Sequence, residues 1–106
     1  METRIVIVAY KAKPGKEEML QDLMRKHYSA LKELDLVTDR KPVLMNAKDN
    51  IIIEVFEWKN QEAIKSAHNN PEILKMWAEY NEACEYVPLN TLEESKDMFA
   101  EFSSFE

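Results

Sequence analysis

The side chains best suited to chemistry in this sequence are two histidines and one mid-strand carboxylate. His27 and His68 are its only histidines, and imidazole is the side chain that gains and loses a proton most readily near neutral pH. Glu54 lies among apolar neighbours in the run Ile51–Trp58, where burial would favour its protonated form. These groups are suited to proton transfer, and the sequence predicts His68 and Glu54 as catalytic residues.

His68 has two interpretations. It ends a short amphipathic segment one turn after Ile64, from which it could act as an acid, a base or a hydrogen-bond donor to an oxygenated aromatic ligand. A histidine in this position is also favoured by the dipole at a helix C-terminus, without any chemical role. The sequence leaves both interpretations open.

Glu54 and His27 also have structural alternatives. Glu54 needs no chemical role if its face of the strand is partly solvated, or if it pairs with a lysine or arginine of a second chain. His27 lies between Met24 and Leu31 in the apolar stripe of a predicted helix. Such stripes are normally core, so a buried histidine with one hydrogen-bonded nitrogen is the favoured interpretation of His27.

Aromatic residues near these groups could form the walls of a binding site. Trp58, Trp77, Tyr28 and Tyr80 present flat apolar surfaces that suit a planar ligand. Together with His27, the residues Trp58, Trp77 and Tyr28 are the predicted substrate-binding set. The alternative is that these side chains only fill the core or an interface.

Motifs for other kinds of chemistry are missing from the sequence. The single glycine excludes a glycine-rich phosphate loop, and the single cysteine excludes a Cys-x-x-Cys pair. The histidines and carboxylates show no metal-ligand spacing, and no serine or cysteine lies in a nucleophile motif. We therefore expect neither a metal nor a cofactor.

Composition limits the partners and the location. The 106 residues suit one domain, and 14 basic against 20 acidic residues give a net charge of −6, which argues against nucleic acid as a partner. One cysteine allows no internal disulfide, so a cytoplasmic location is expected. No apolar run has the length of a membrane span or the form of a signal peptide, so no membrane contact is expected.

Hydrophobic patterning predicts alternating strands and helices. Apolar residues at both parities of Arg4–Lys11 indicate a strand covered on both faces, and the Asp49–Asn50 pair suits a hairpin turn. The next elements are a helix over 17–34, strands Pro42–Lys48 and Asn50–Trp58, helices Gln61–His68 and Pro71–Glu85, a short strand within Tyr86–Asn90 and one or two helical turns in Thr91–Met98.

This order, β-α-β-β-α-(α)-β, predicts a ferredoxin-like α+β sandwich. Helices can cover only one face of such a sheet, yet the first and third strands are apolar on both. We therefore expect a homodimer in which the sheets of two copies pack face to face. Phe99, Phe102 and Phe105 of the tail are expected to pack against the partner or against the body of the same chain.

Several short motifs resemble the antibiotic-biosynthesis monooxygenase family. They are the Pro-Gly before the first helix, the strand end Glu57–Trp58, the pair Glu62–Ala63 and the pair Ala67–His68. The resemblance covers roughly 4–89 and implies one domain over 1–106 with a C-terminal extension, 91–106. Members of the family are small dimeric α+β barrels, so the resemblance implies a dimeric barrel.

The resemblance also carries functional expectations. It implies a cofactor-independent monooxygenase acting on a small aromatic substrate such as a quinol, phenol or anthrone, with His68 in the pocket and Glu57 at a position where the family often has glutamate. The second histidine of many members is missing, since this chain has Pro71–Glu72 there. The haem-degrading branch needs residues that Val8, Ala67 and Trp77 do not supply.

Two other functions fit the same fold. One is a dimer that binds a small ligand without turnover, and the other is an isomerase. RNA recognition uses the same element order but needs a basic third strand with exposed aromatics. The strand Ile51–Trp58 has no basic residue and two acids, so RNA recognition is set aside.

Overall fold

The architecture is a five-stranded antiparallel sheet with three helices, described for residues 2–106 in a computed structural model. The strand order is β4-β1-β3-β2-β5. The elements are β1 (Arg4–Ala12), α1 (Glu17–Glu33), β2 (Val43–Ala47), β3 (Ile51–Trp58), α2 (Gln61–Ala67), α3 (Pro71–Ala83), β4 (Cys84–Val87) and β5 (Ser103–Ser104), with 3-10 turns at Leu89–Thr91 and Glu93–Lys96. The α+β class is thereby confirmed.

The turn between β2 and β3 has the predicted chemistry. Asp49 and Asn50 have φ angles of 62° and 59°, in the left-handed region that short Asx side chains tolerate. This turn sets the register in which Leu44 lies opposite Glu54 and Met45 opposite Ile53. The hairpin prediction is confirmed, and the register places Glu54 in the middle of the sheet.

The two helices that follow β3 begin with asparagine caps. The Asn60 side chain accepts a hydrogen bond from the Ala63 amide, and the Asn70 side chain accepts from the amides of Glu72 and Ile73. Pro71 occupies the first helical position, where its missing N–H costs nothing. The sequence therefore divides this segment into two helices rather than one, and the break leaves His68 at the C-terminal cap of α2.

The boundary between α3 and β4 differs from the sequence prediction. Cys84 was expected on the helix, but it is extended, with a φ of −154°, and pairs with Ala12 of β1. The helix therefore ends at Ala83, two residues earlier than predicted. Strand pairing with β1 determines this end, because tertiary contacts outweigh local helix propensity. The strand ends before Pro88, which has no N–H to donate to the sheet.

One face of the sheet packs against the helices. Tyr10 of β1 and Ile52 of β3 share a buried cluster with Leu20 of α1 and Tyr80 of α3. A second cluster at the other end of this face includes Phe56 and Trp58 of β3, Leu31 of α1 and Ile73 of α3. The side chains on this face therefore alternate along β1 and β3 as the period of two requires.

The opposite, outer face is covered over half its length by the chain itself. Residues 88–106, here called the C-terminal strap, place Leu92 and Phe102 against Ala9, Ile51 and Ile53. The strap is fastened where Glu94 Oε2 accepts a 2.9 Å hydrogen bond from the Lys48 amide, and where β5 pairs with β2. The chain itself therefore covers this half of the outer face, and Phe102 packs against the body of the same chain, which is one of the two positions expected for the tail.

The other half of the outer face is bare. Ile5, Ile7 and Val43 are 58%, 51% and 54% exposed. Of the three tail phenylalanines, Phe102 and Phe105 pack on the body while Phe99 is 81% exposed. Among residues 2–106, no helix combines the length and the apolar character needed to span a membrane.

Candidate functional site

A cavity of about 410 Å³ lies between the sheet and the helices. Most of its walls are aromatic, and we call it the aromatic cavity. Its lining comes from β1, α1, β3, α2, α3 and β4, and consists of Val6, Val8, Tyr10, His27, Phe56, Trp58, Ile64, His68, Trp77, Tyr80 and Tyr86. The volume is within the range of sites for small organic ligands.

A hydrogen-bonded unit of three side chains lies at the buried end of the cavity. Glu54 is fully buried, and its Oε1 accepts a 2.7 Å hydrogen bond from the Tyr10 hydroxyl. His27 Nδ1 lies 2.9 Å from Glu54 Oε2. Each carboxylate oxygen therefore has one partner, and each partner lines the cavity. We call Tyr10, Glu54 and His27 the buried triad.

The sheet and α1 together assemble this triad. Val8 of β1 lies opposite Glu54, so Tyr10 is the next residue of β1 on the same helix-facing side. His27 lies on the buried face of α1, and its ring contacts β3. Its ring makes edge contacts with the rings of Phe56 and Tyr80 at centroid distances of 5.3 and 5.4 Å, which fix its orientation.

His68 and Tyr86 are the exposed residues of the lining and therefore mark where the cavity meets solvent, which we call its mouth. His68 is exposed, and its Nδ1 lies 2.8 Å from the Ile64 carbonyl oxygen. A carbonyl can only accept, so His68 Nδ1 carries the hydrogen and, in the neutral ring, Nε2 is left as an acceptor. The His68 ring packs edge-on against Trp77 at 5.0 Å. His68 thus caps α2 and also borders the cavity, so its two interpretations are compatible.

Three tyrosines form a cluster along one wall. The Tyr10 ring lies 5.2 Å from that of Tyr80 and 5.5 Å from that of Tyr86. Burial, followed by the charge of Glu54, raises the pKa values of Tyr10 and Tyr80, and burial raises the pKa of Tyr86 to about 12. All three are therefore neutral phenols at physiological pH and act as apolar walls with hydroxyl groups.

Five of the six predicted site residues come together here. His27, His68, Trp58 and Trp77 line the cavity, and Glu54 lies behind His27 and Tyr10. Tyr28 does not line it. It is one residue further round α1 than His27, and its hydroxyl donates a 2.7 Å hydrogen bond to the Thr38 carbonyl oxygen.

Glu57, the position that the family resemblance emphasised, lies on the outer face of β3 and away from the cavity. Its carboxylate accepts hydrogen bonds from the hydroxyls of Thr3 at 2.8 Å and Thr38 at 2.7 Å, and from Arg40 Nε at 3.1 Å. These bonds, led by that of Thr38, lower the pKa of Glu57. Glu57 is therefore a paired carboxylate outside the cavity.

Tyr10 and Tyr86 are site residues that the sequence did not indicate. Tyr10 lies on the same face as Val6 and Val8, and only the pairing of β1 with β3 shows that it meets Glu54. Tyr86 begins the predicted short strand within Tyr86–Asn90, and nothing in that pattern points to a cavity. The sequence contained one local indication for Tyr10. Val6, Val8 and Tyr10 alternate with Ile5, Ile7 and Ala9 along β1, so Tyr10 shares a face of the strand with Val6 and Val8.

The groups available for a metal are sparse in the part of the chain that the structure describes. Residues 2–106 contain no group of three histidine, cysteine, aspartate or glutamate side chains that could hold a metal ion. Cys84 is buried, its Sγ lies 3.2 Å from the Tyr80 carbonyl oxygen, and burial raises its pKa to about 11. A thiol in that state is a poor nucleophile.

No model of a known protein family matches the sequence, and no curated protein is similar to it. The function must therefore be argued from the site.

Proposed function

We propose that the protein is a cofactor-independent monooxygenase that acts on a small aromatic substrate such as a quinol, a phenol or an anthrone-like compound. The observation that carries the proposal is the aromatic cavity, which has an imidazole at its mouth and another at its buried end. A flat electron-rich ligand would stack against Trp58 and Trp77, and its oxygen substituents would meet the histidines.

In this proposal His68 is the general base. Its Nε2 is the acceptor in the neutral ring, and its exposure lets the abstracted proton pass to water. The substrate anion transfers an electron to O₂, and the resulting radical pair joins to form a C–O bond. The peroxide anion formed in this way takes up one proton from solvent and becomes a hydroperoxide. The hydroperoxide then loses water and leaves a carbonyl, so one oxygen atom enters the product and the other enters water. The buried triad stabilises the negative oxygen that develops on the substrate.

The polar groups of the cavity favour this proposal over a purely binding dimer. A non-catalytic site would be expected to have apolar walls alone. This cavity instead includes two histidines and three tyrosines, and one of the histidines is paired with a fully buried carboxylate. Such pairs are found preferentially where protons are moved.

An isomerase is the second candidate. A base at one end of a cavity and a donor at the other could move a proton between two carbons of a ligand, and His68 and His27 occupy those ends. The two activities differ in whether oxygen is consumed.

Oxygen uptake tests the proposal. Purified protein is assayed with hydroquinones, naphthoquinols and anthrones, and we expect uptake above the buffer rate that falls roughly a hundredfold in His68→Ala, which is typical of losing a general base. Lys65→Ala, on the exposed surface of the same short helix, is the control and should retain the wild-type rate.

Equal uptake in His68→Ala would remove His68 from the mechanism. Substrate rearrangement without oxygen consumption would identify the isomerase. Binding with neither reaction would favour the non-catalytic dimer.

We also propose the finer fold class and assembly that accompany this function. The β4-β1-β3-β2 order supports a ferredoxin-like arrangement, and the bare half of the outer face supports a homodimer that packs sheet on sheet as an α/β barrel. A cytoplasmic location fits the single, unpaired cysteine.

A further inference from the structure

The protonation state of the buried triad determines which ligand atom the buried end of the cavity accepts. Glu54 is fully buried, and its two oxygens are paired with the Tyr10 hydroxyl and with His27 Nδ1. Its only ion-pair partner is His27; no lysine or arginine of residues 2–106 reaches it. An ionised carboxylate beside a neutral imidazole would leave a buried charge with no counter-ion, which is strongly unfavourable.

We propose that Glu54 and His27 share one proton, so that His27 Nε2 carries a hydrogen and donates it to an anionic or carbonyl oxygen of the ligand. The inference deepens the proposed function, because it rests on ligand binding in the same cavity. It does not require turnover.

Both positions of the shared proton lead to the same result. If the proton is on His27, the ring is an imidazolium and both nitrogens carry hydrogen. If it is on Glu54 Oε2, the carboxylic acid donates to Nδ1, and the single hydrogen of the neutral ring must then be on Nε2. The Tyr10 hydroxyl donates to Oε1 in either case. The identity of the donor to the cavity therefore does not depend on where the proton lies.

The surroundings of His27 leave this N–H for a ligand. His27 lines the cavity, its Nδ1 is used by Glu54, and its Nε2 has no hydrogen-bond partner among residues 2–106. The nearest ionisable groups besides Glu54 are tyrosines, which burial keeps neutral. No other charge on the described walls competes for the hydrogen bond.

The ligand class follows from this geometry. The aromatic walls select a planar ring, and the buried end selects a ring oxygen that accepts a hydrogen bond, such as a phenolate, an enolate or a quinone carbonyl. The two histidines then have opposite roles, since His68 presents an acceptor at the mouth and His27 presents a donor at the buried end. A ring with a neutral substituent in place of the oxygen would lose the interaction with His27.

Binding of two matched probes tests the inference without any turnover. The probes are 2,4-dinitrophenolate and 1,3-dinitrobenzene, which differ in the anionic oxygen, and both can be followed by quenching of Trp58 and Trp77 fluorescence. At neutral pH we expect the phenolate to bind at least about tenfold more tightly, as a hydrogen bond to a charged group in a buried site suggests. His27→Leu should abolish this preference. His68→Leu should lower the affinity for both probes by the same factor, so that the preference for the phenolate remains.

A measurement on the wild-type protein guards against misfolding of the variants. In protein labelled with ¹⁵N-histidine, the Nε2 signal of His27 should show a bound hydrogen at neutral pH. An unprotonated Nε2 would overturn the inference. Equal affinity for the two probes, or no binding of either at millimolar concentration, would overturn it too. If the phenolate preference is present but oxygen uptake is not, the monooxygenase proposal fails and this inference stands.

Discussion

Glu54 and Glu57 are three residues apart on one strand, and their carboxylates are stabilised in different ways. Glu54 points toward the helices, where a phenol and an imidazole are its partners. Glu57 points outward, where two threonine hydroxyls and Arg40 donate to it. The odd spacing places the two side chains on opposite faces of the sheet. One carboxylate therefore belongs to the cavity, while the other ties the ends of β1 and β3 to the segment before β2.

Glu57 should make the protein's stability depend on pH in the acid range. Its folded pKa is below the ordinary value of 4.5, mainly because Thr38 and Thr3 donate hydrogen bonds to the ionised form. A lowered folded pKa gives stability that is present above the unfolded pKa and is lost as the pH falls through the folded pKa. Glu57→Gln should therefore lower the free energy of unfolding at neutral pH, and the difference from wild type should shrink as the pH falls below 4.5.

Urea denaturation at a series of pH values measures this effect. Glu79→Gln is the control, since the Glu79 side chain is exposed and makes no hydrogen bond among residues 2–106. A constant difference between Glu57→Gln and wild type at every pH would show that the ionised carboxylate is not the source of the stability.

Among the elements, the C-terminal strap is the one whose position the sequence predicted least well. It crosses the outer face between β4 and the hairpin turn, and ends by pairing with β2. Leu92 is its main apolar anchor, 3% exposed against Ala9, Ile51 and Ile53. The strap therefore acts as a partial third layer of the fold, although it has little regular structure.

Leu92→Ala should destabilise the protein by about 2–3 kcal/mol, toward the lower end of the range for buried leucines because the strap can settle into the gap. Leu89→Ala, in the same strap but at a side chain that is 39% exposed, is the matched control and should cost well under half as much. Urea denaturation gives both values. Equal effects would show that the strap does not pack on the sheet through Leu92.

Sequence reasoning predicted the elements that have strong local signals. Asp49–Asn50 marked its turn, and Asn70–Pro71 marked the start of α3, because each pair limits the backbone directly. The strap could not be placed, since its contacts join residues about forty to eighty positions apart and no local pattern encodes them. For the same reason Tyr10 was missed as the partner of Glu54, 44 positions away.

At the scale of the whole molecule, the outer face of the sheet is divided into a covered half and a bare half. In the covered half, Ala9 of β1 and Ile53 of β3 lie side by side under the strap. In the bare half, Ile7 of β1 and Val43 of β2 lie on either side of Val55 of β3, and both are exposed to solvent. Exposed apolar side chains grouped on one face in this way suit a contact with a second protein surface. In the proposed homodimer the bare half is the contact region, so the strap would limit how far the two sheets overlap.

Ile7→Asp should weaken the proposed dimer at least roughly tenfold, because it places a charge in an apolar interface. Light scattering coupled to size exclusion, over a range of concentrations, measures the association. Leu74→Asp is the control, since Leu74 is 47% exposed on α3, on the helix side of the sheet. A wild-type protein that remains monomeric at high concentration would contradict the dimer and would leave the bare half as a surface for a different partner.

The strap also bears on how the molecule is made. Leu92 and Phe102 are synthesised after β1, β2, β3 and β4, whose outer face they cover in part. Until the strap is in place, the chain leaves Ala9, Ile51 and Ile53 of the sheet uncovered, and transiently exposed apolar surfaces of this kind favour aggregation. Fastening of the strap by Glu94 and β5 therefore holds this apolar surface covered in the folded chain.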